Sequence, residues 1–148
     1  SGVMDSTSEQ HCNIDLIHRL ADDVFEFIEL KYDSDNPHYA ALELLKYALM
    51  YVFSRRHAAE LGYDVNDKPV LKAREVHLCV LAPSNYYFGY EVGWLEKALN
   101  RALAPGDCIP SDLRFQFRFE QFDSLAGNAS EKLASRRPLL REWQNASM

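Results

Sequence analysis

The chain has little cysteine, and what it has follows no pattern. Cys12, Cys79 and Cys108 form an odd set with no Cys-x-x-Cys pair and no zinc-like spacing. That excludes a disulfide framework or a zinc module as the organising principle and leaves isolated reduced thiols, partly in a core. Long apolar runs are missing too. The most hydrophobic stretch, around Tyr47 to Phe53, falls well short of the ~20 residues of a membrane span, and no basic-then-apolar leader opens the chain. These absences predict a soluble, cytoplasmic protein with no membrane partner. Asn128-Ala-Ser and Asn145-Ala-Ser match the glycosylation acceptor pattern, but without a secretory leader they read as chance. Positive charge is also in deficit, with a net charge of −6, which argues against a basic coat for nonspecific binding of phosphate backbones. Internal repeats and low-complexity segments are absent.

What is present fits one globular domain: 148 residues, 47% hydrophobic, long enough to bury a sizeable core. The patterning predicts a flexible arm over 1–12, an α/β core over 13–123 and a polar tail over 124–148 with room for a short helix. The acidic excess is local. Residues 1–50 carry −7 of the net charge and the remainder +1, as expected of carboxylates gathered around a divalent cation, or of an acidic face.

The chain is organised around residues 15–51. Ile14 to Leu20 and Phe25 to Lys31 are strand-like runs, and the polar break Ala21-Asp22-Asp23 between them signals a hairpin. With those three residues as the loop, Leu20 pairs with Val24, Arg19 with Phe25, Ile17 with Phe27, and Asp15 falls opposite Glu29. Side chains alternate with period two, so Lys31 joins Asp15 and Glu29 on one face. Like charges placed opposite each other destabilise a sheet, so this pairing implies either a cation between them or a different register. His18 falls opposite Glu26 and reads as a surface contact.

Asp35 or Asn36 then caps a helix with Pro37 at its first position, running to about Glu60 before Gly62. Between Tyr39 and Phe53 its side chains are apolar or aromatic apart from Glu43 and Lys46, which predicts a helix covered on most sides. Glu75 to Leu81 reads as a buried strand closed by Pro83, parallel to a hairpin strand through a βαβ crossover. The aromatic loop Ser84 to Tyr90 follows at its carboxyl end, where such sheets commonly bind ligands. A second helix over Glu91 to Ala104 and an alternating strand over Leu113 to Glu120, read as an edge with Arg114, Gln116, Arg118 and Glu120 in water, complete the core.

Asp15, then Glu29-Leu30-Lys31 on a hairpin, then a capped helix bearing Glu43 and Tyr47, resembles the PD-(D/E)XK nuclease-like superfamily over about residues 13–82. The resemblance implies a restriction-endonuclease-like core, here short at its N-terminal side: a mixed sheet built from an N-terminal hairpin, a long central helix, a crossover strand, a second helix and a C-terminal strand. It implies Mg²⁺ or Mn²⁺ held by Asp15, Glu29 and the Leu30 backbone carbonyl, Lys31 beside the attacking water, and Glu43 and Tyr47 at accessory positions. Nucleic acid, DNA before RNA, is the implied partner, and a second copy or a further N-terminal segment would complete the sheet. Glu9 is a further candidate acidic ligand. Ile14 stands where the family often has Pro, and Glu43 where it often has Gln. The residue types suit the chemistry: hard carboxylate oxygens hold hard cations, and an ammonium orients a nucleophile or shields an anionic transition state. Two other classes compete, a nuclease-like domain that binds nucleic acid or a protein without cleaving, and a plain α/β interaction domain in which Glu29 and Lys31 form an ordinary ion pair.

Overall fold

The computed structural model describes residues 14–140; the arm, Glu9, Cys12 and the end of the tail with Trp143 lie outside them. Strand β1 (Leu16–Ala21) and strand β2 (Val24–Leu30) form the antiparallel hairpin, and helix α1 (Pro37–Arg56) crosses over to strand β3 (Glu75–Pro83). Helix α2 (Gly93–Ala102), strand β4 (Arg114–Phe122), the short helix α3 (Ala129–Ala134) and the two-residue strand β5 (Arg137–Pro138) follow. The strands lie in the order β1-β2-β3-β4-β5 in one mixed sheet, parallel across β2-β3-β4 and antiparallel at both outer pairs. The chain is therefore an α/β fold with a five-stranded mixed sheet and three α-helices among the described residues.

The hairpin register is the expected one from Leu16↔Ile28 to Arg19↔Phe25, and it breaks beyond Arg19. Ala21, not Leu20, pairs with Val24, so the loop is Asp22-Asp23 and Leu20 is the extra residue of a bulge. The cause is tertiary. The Asp23 carbonyl accepts from the backbone N–H groups of Arg74 (2.8 Å) and Glu75 (3.2 Å), and its carboxylate from Arg74 Nε at 2.9 Å, so the turn is tied to the start of β3.

Alternation sorts the strands into two faces. Phe25 and Phe27, Val76, Leu78 and Val80, and Phe115, Phe117 and Phe119 pack with Leu44, Tyr47 and Tyr51 of α1 and Leu99 of α2 in the main core. The other face carries a smaller apolar cluster, Ile28, Cys79, Leu81 and Phe122. β4 is not the edge strand expected of it. Beyond the short β5, side chains of α2 occupy its outer backbone: Asn100 accepts from the Phe117 N–H (2.8 Å) and donates to the Phe117 carbonyl (2.9 Å), while Glu96 accepts from the Phe119 N–H at 2.9 Å. An edge that would otherwise offer unpaired donors is thereby closed. Its outward face also dries towards the carboxyl end, where Glu120 is buried.

Helix α1 begins as expected, with the Asn36 side chain accepting from the Tyr39 N–H at 3.0 Å and Pro37 at the first position. It ends at Arg56, earlier than expected, and passes through turns to Gly62, whose φ of +73° suits glycine. No described helix is long and apolar enough to cross a membrane. Asn36→Ala should lower stability by about 1 kcal/mol, read as a lower denaturation midpoint at unchanged slope; an unaffected midpoint would remove the cap from the account of α1.

Candidate functional site

The carboxyl end of β2 gathers charge. Glu29 and Lys31 continue the alternation that points Phe25 and Phe27 into the main core, yet both are buried, at 5% and 8% exposure. Burial of isolated charges is costly, so they must be paired. Lys31 Nζ lies 2.9 Å from Glu29 Oε1, 2.8 Å from Glu43 Oε2 and 3.3 Å from Asp35 Oδ2. Glu43 arrives from the second turn of α1. Asp35 arrives from the loop before it, in the left-handed region at φ 63°, a conformation that aspartate tolerates better than most residues. The ammonium thus lies among three carboxylates, of which Glu29 alone belongs to the pair that the sequence set on either side of a metal ion.

Asp15 precedes β1 rather than lying within it. Its Oδ2 accepts from the Leu30 N–H at 2.9 Å, which fixes an exposed carboxylate against the end of β2. Burial pushes the Glu29 carboxyl up to about 7, with the negative charges of Asp15 and Glu43 acting the same way and Lys31 opposing them. For Lys31, burial works against the charge, but the bonds to Glu43, Glu29 and Asp35 outweigh it and hold the ammonium well above its ordinary value. Glu29 Oε2 is buried with no hydrogen-bond partner.

One aromatic from the loop after β3 joins this neighbourhood. The Tyr86 hydroxyl is buried without a partner, and burial raises it to about 12, with Asp35 and Glu43 reinforcing the shift and Lys31 opposing it. Tyr47, expected beside Glu43 as an accessory group, is 2% exposed within the main core, and Lys46 Nζ lies 5.2 Å from its ring centre. The structure therefore brings together Asp15, Glu29, Lys31 and Glu43, and adds Asp35 and Tyr86. The spacing of Lys31 and Asp35, four apart around a turn, was the available signal for the former. For Tyr86 there was only its place at the carboxyl end of a parallel strand.

A second buried charge cluster lies on the opposite face of the sheet and had no sequence signal. Glu26, Cys79 and Glu120, from three adjacent strands, are all buried, with ligand-type atoms within 4.8 Å of one another. A guanidinium occupies this cluster. Arg136 donates to Glu26 through Nη2 (2.6 Å) and Nη1 (3.2 Å) and to Glu120 through Nε (2.8 Å), and its Nη2 lies 3.7 Å from Cys79 Sγ. Burial opposes the Glu26 charge, but the bonds to Arg136 prevail and hold its carboxyl below the usual range. Burial raises the Cys79 thiol. His18, read as a surface partner of Glu26, does stand 3.6 Å from it, but the glutamate it meets is buried.

Against protein-family models, curated proteins and solved structures, the chain has no match.

Two outcomes follow from these clusters. Glu29 has a folded pKa of about 7 against 4.5 when unfolded. Between those values the folded chain binds more protons, so its contribution to stability is full at acid pH and is lost as pH rises through about 7. Glu29→Gln should flatten that part of the metal-free stability profile; an unchanged slope between pH 4.5 and 7 would refute the assignment. Arg136→Ala removes the closest partner of two buried carboxylates and should cost about 3 kcal/mol, read as a lower denaturation midpoint; an unchanged midpoint would refute its role.

Proposed function

We propose that this chain is a metal-dependent phosphodiesterase domain of the restriction-endonuclease-like type, acting on nucleic acid in the cytoplasm, with DNA preferred to RNA. The observation that carries the reading is the convergence of Asp15, Glu29 and Lys31 at the end of β2, beside a buried Glu29 oxygen with no partner. The order hairpin, capped helix, parallel strand agrees with the resemblance seen in the sequence.

The donor types suit a hard divalent cation, since Glu29 keeps a buried oxygen without a partner and its carboxyl feels the negative charge of Asp15. Asp15, Glu29 and the Leu30 carbonyl would hold Mg²⁺ or Mn²⁺. When bound, such an ion supplies positive charge that acidifies a water and offsets charge on a phosphate. The remaining work falls to the chain. Lys31 stays protonated across the neutral range, so it serves as a donor that orients water or meets an anionic oxygen, and never as a base. Glu43 and Asp35 hold its ammonium in place.

A second reading has its own support. Lys31 already pairs with three carboxylates, Glu29 among them, so its charge is met without a metal. This suits a domain that binds nucleic acid or a protein without cleaving it. Cleavage assays separate the two. With Mn²⁺ or Mg²⁺, the protein should hydrolyse single- or double-stranded DNA or RNA. Lys31→Ala should cut the rate ~100-fold to 1,000-fold while keeping the Mn²⁺-dependent melting shift, and Asp15→Ala and Glu29→Ala should lose both. Ion binding without cleavage would favour the non-catalytic domain, and neither would reject the site.

A further inference from the structure

Helix α1 is apolar on two faces, and the rest of the described chain covers one. Ala40, Ala41, Leu44, Tyr47, Ala48 and Tyr51 point into the core, each no more than 2% exposed. On the opposite side Tyr39 (51%), Leu42 (56%), Leu49 (49%) and Phe53 (56%) stand in the open, with Met50 (38%) beside them. The exposed positions Tyr39, Leu42, Lys46, Leu49, Phe53 and Arg56 advance by three and four residues in turn. That is the 3.5-residue period of a coiled-coil seam, not a scatter of surface apolar groups. A solvated helix face would carry polar residues at most of these positions.

We infer that this seam is the interface of a homodimer in which two α1 helices pack antiparallel, about a two-fold axis between positions 47 and 48. The inference is independent of the proposed catalysis. The seam is self-complementary in this direction alone. Parallel pairing would set Lys46 against Lys46 and Arg56 against Arg56. Antiparallel pairing sets Leu42 against Phe53, Lys46 against Leu49 and Tyr39 against Arg56, and each contact occurs twice, as a two-fold interface requires. No cation then directly faces another, and Arg56 meets a tyrosine ring, a favourable partner for a guanidinium. The long stem of Lys46 can cover Leu49 of the second copy while its charge reaches water.

The area is sufficient. With roughly 200 Å² for each large side chain, about half of it exposed, the five apolar residues and the two basic stems offer about 600–700 Å² per copy, or about 1,200–1,400 Å² for the pair, within the range of specific interfaces. Near the start of the helix, Tyr90 (42% exposed) and Trp94 (60%) flank His38 and extend the apolar surface, with ring centres 5.6 and 6.1 Å from the imidazole.

Sedimentation equilibrium on the full chain tests this. The wild type should be dimeric at about 100 μM, a hundredfold above a micromolar dissociation constant. Leu42→Lys alone and Phe53→Glu alone should each weaken the dimer roughly 30-fold or more, because each faces an apolar side chain with an unpaired charge. The double variant Leu42→Lys/Phe53→Glu places opposite charges in register twice and should recover dimerisation. Circular dichroism controls for folding, and both positions face solvent in the single copy. A monomeric wild type overturns the inference, including the case in which the seam is covered from within the chain. So does a dimer that both single variants leave intact, as when a different surface is used; a double variant no better than the singles overturns the antiparallel register.

Discussion

The ammonium of Lys31 is the group on which the end of the sheet depends. β2 enters the protein as an apolar strand and then, without leaving its alternation, leads to a buried carboxylate and a buried ammonium. Neither could remain ionised there alone. Three carboxylates from β2, from the loop after it and from α1 meet on one nitrogen, so the position of α1 against the sheet and the turn at Asp35 are set by electrostatics as well as by packing. The compensation is incomplete. Glu29 keeps one oxygen without a donor and a carboxyl pushed up to about 7, and this unsatisfied atom distinguishes the cluster from a closed structural ion pair.

A similar solution recurs on the other face, again with one cation between carboxylates. There one guanidinium serves two carboxylates, and the planar fork of Arg136 reaches Glu26 and Glu120 across the intervening strand β3. Because Arg136 immediately precedes β5, the same residue that neutralises the buried acids also fastens the C-terminal segment to the sheet. Tyr87 reinforces the centre, its hydroxyl lying within hydrogen-bond reach of the Val80 carbonyl (3.0 Å) and the Glu120 carbonyl (2.8 Å). The two clusters differ in what they leave open. The Arg136 cluster meets its acids in close contacts and leaves a buried Arg118 Nε, 3.6 Å from Glu120, without a hydrogen bond, whereas the Lys31 cluster leaves a carboxylate oxygen unpaired and borders an exposed aspartate and an unpartnered tyrosine hydroxyl.

Helix α1 shows how one segment answers to two constraints. Small residues at Ala40, Ala41 and Ala48 let it sit close on the sheet, and large ones at Leu44 and Tyr51 fill the space between strands. Glu43 turns towards Lys31 at the border of this face. The outward seam answers to neither demand, which is why its regular spacing carries information of its own.

Much of this was legible in the residues. Period-two alternation located β2 and β4, the Asn36-Pro37 pair located the start of α1, and the run Glu75 to Leu81 closed by Pro83 gave β3 and the parallel crossover. The hairpin register over Leu16 to Arg19 was drawn from a three-residue loop, and it holds because the extra residue of the Leu20 bulge offsets the shorter loop that forms. That register carried the proximity of Asp15, Glu29 and Lys31 with it. Local sequence could not decide the bulge at Leu20, since it depends on Arg74 and Glu75 bonding to a turn some fifty residues earlier. Nor could it show that α2 would close the edge of β4, or that Arg136 would enter between Glu26 and Glu120. Strand and helix follow from periodicities within a few residues, so the sequence alone determined them. Which charges share a buried space depends on contacts between distant segments, and only the tertiary structure, where desolvation makes each charge find a partner, decided that.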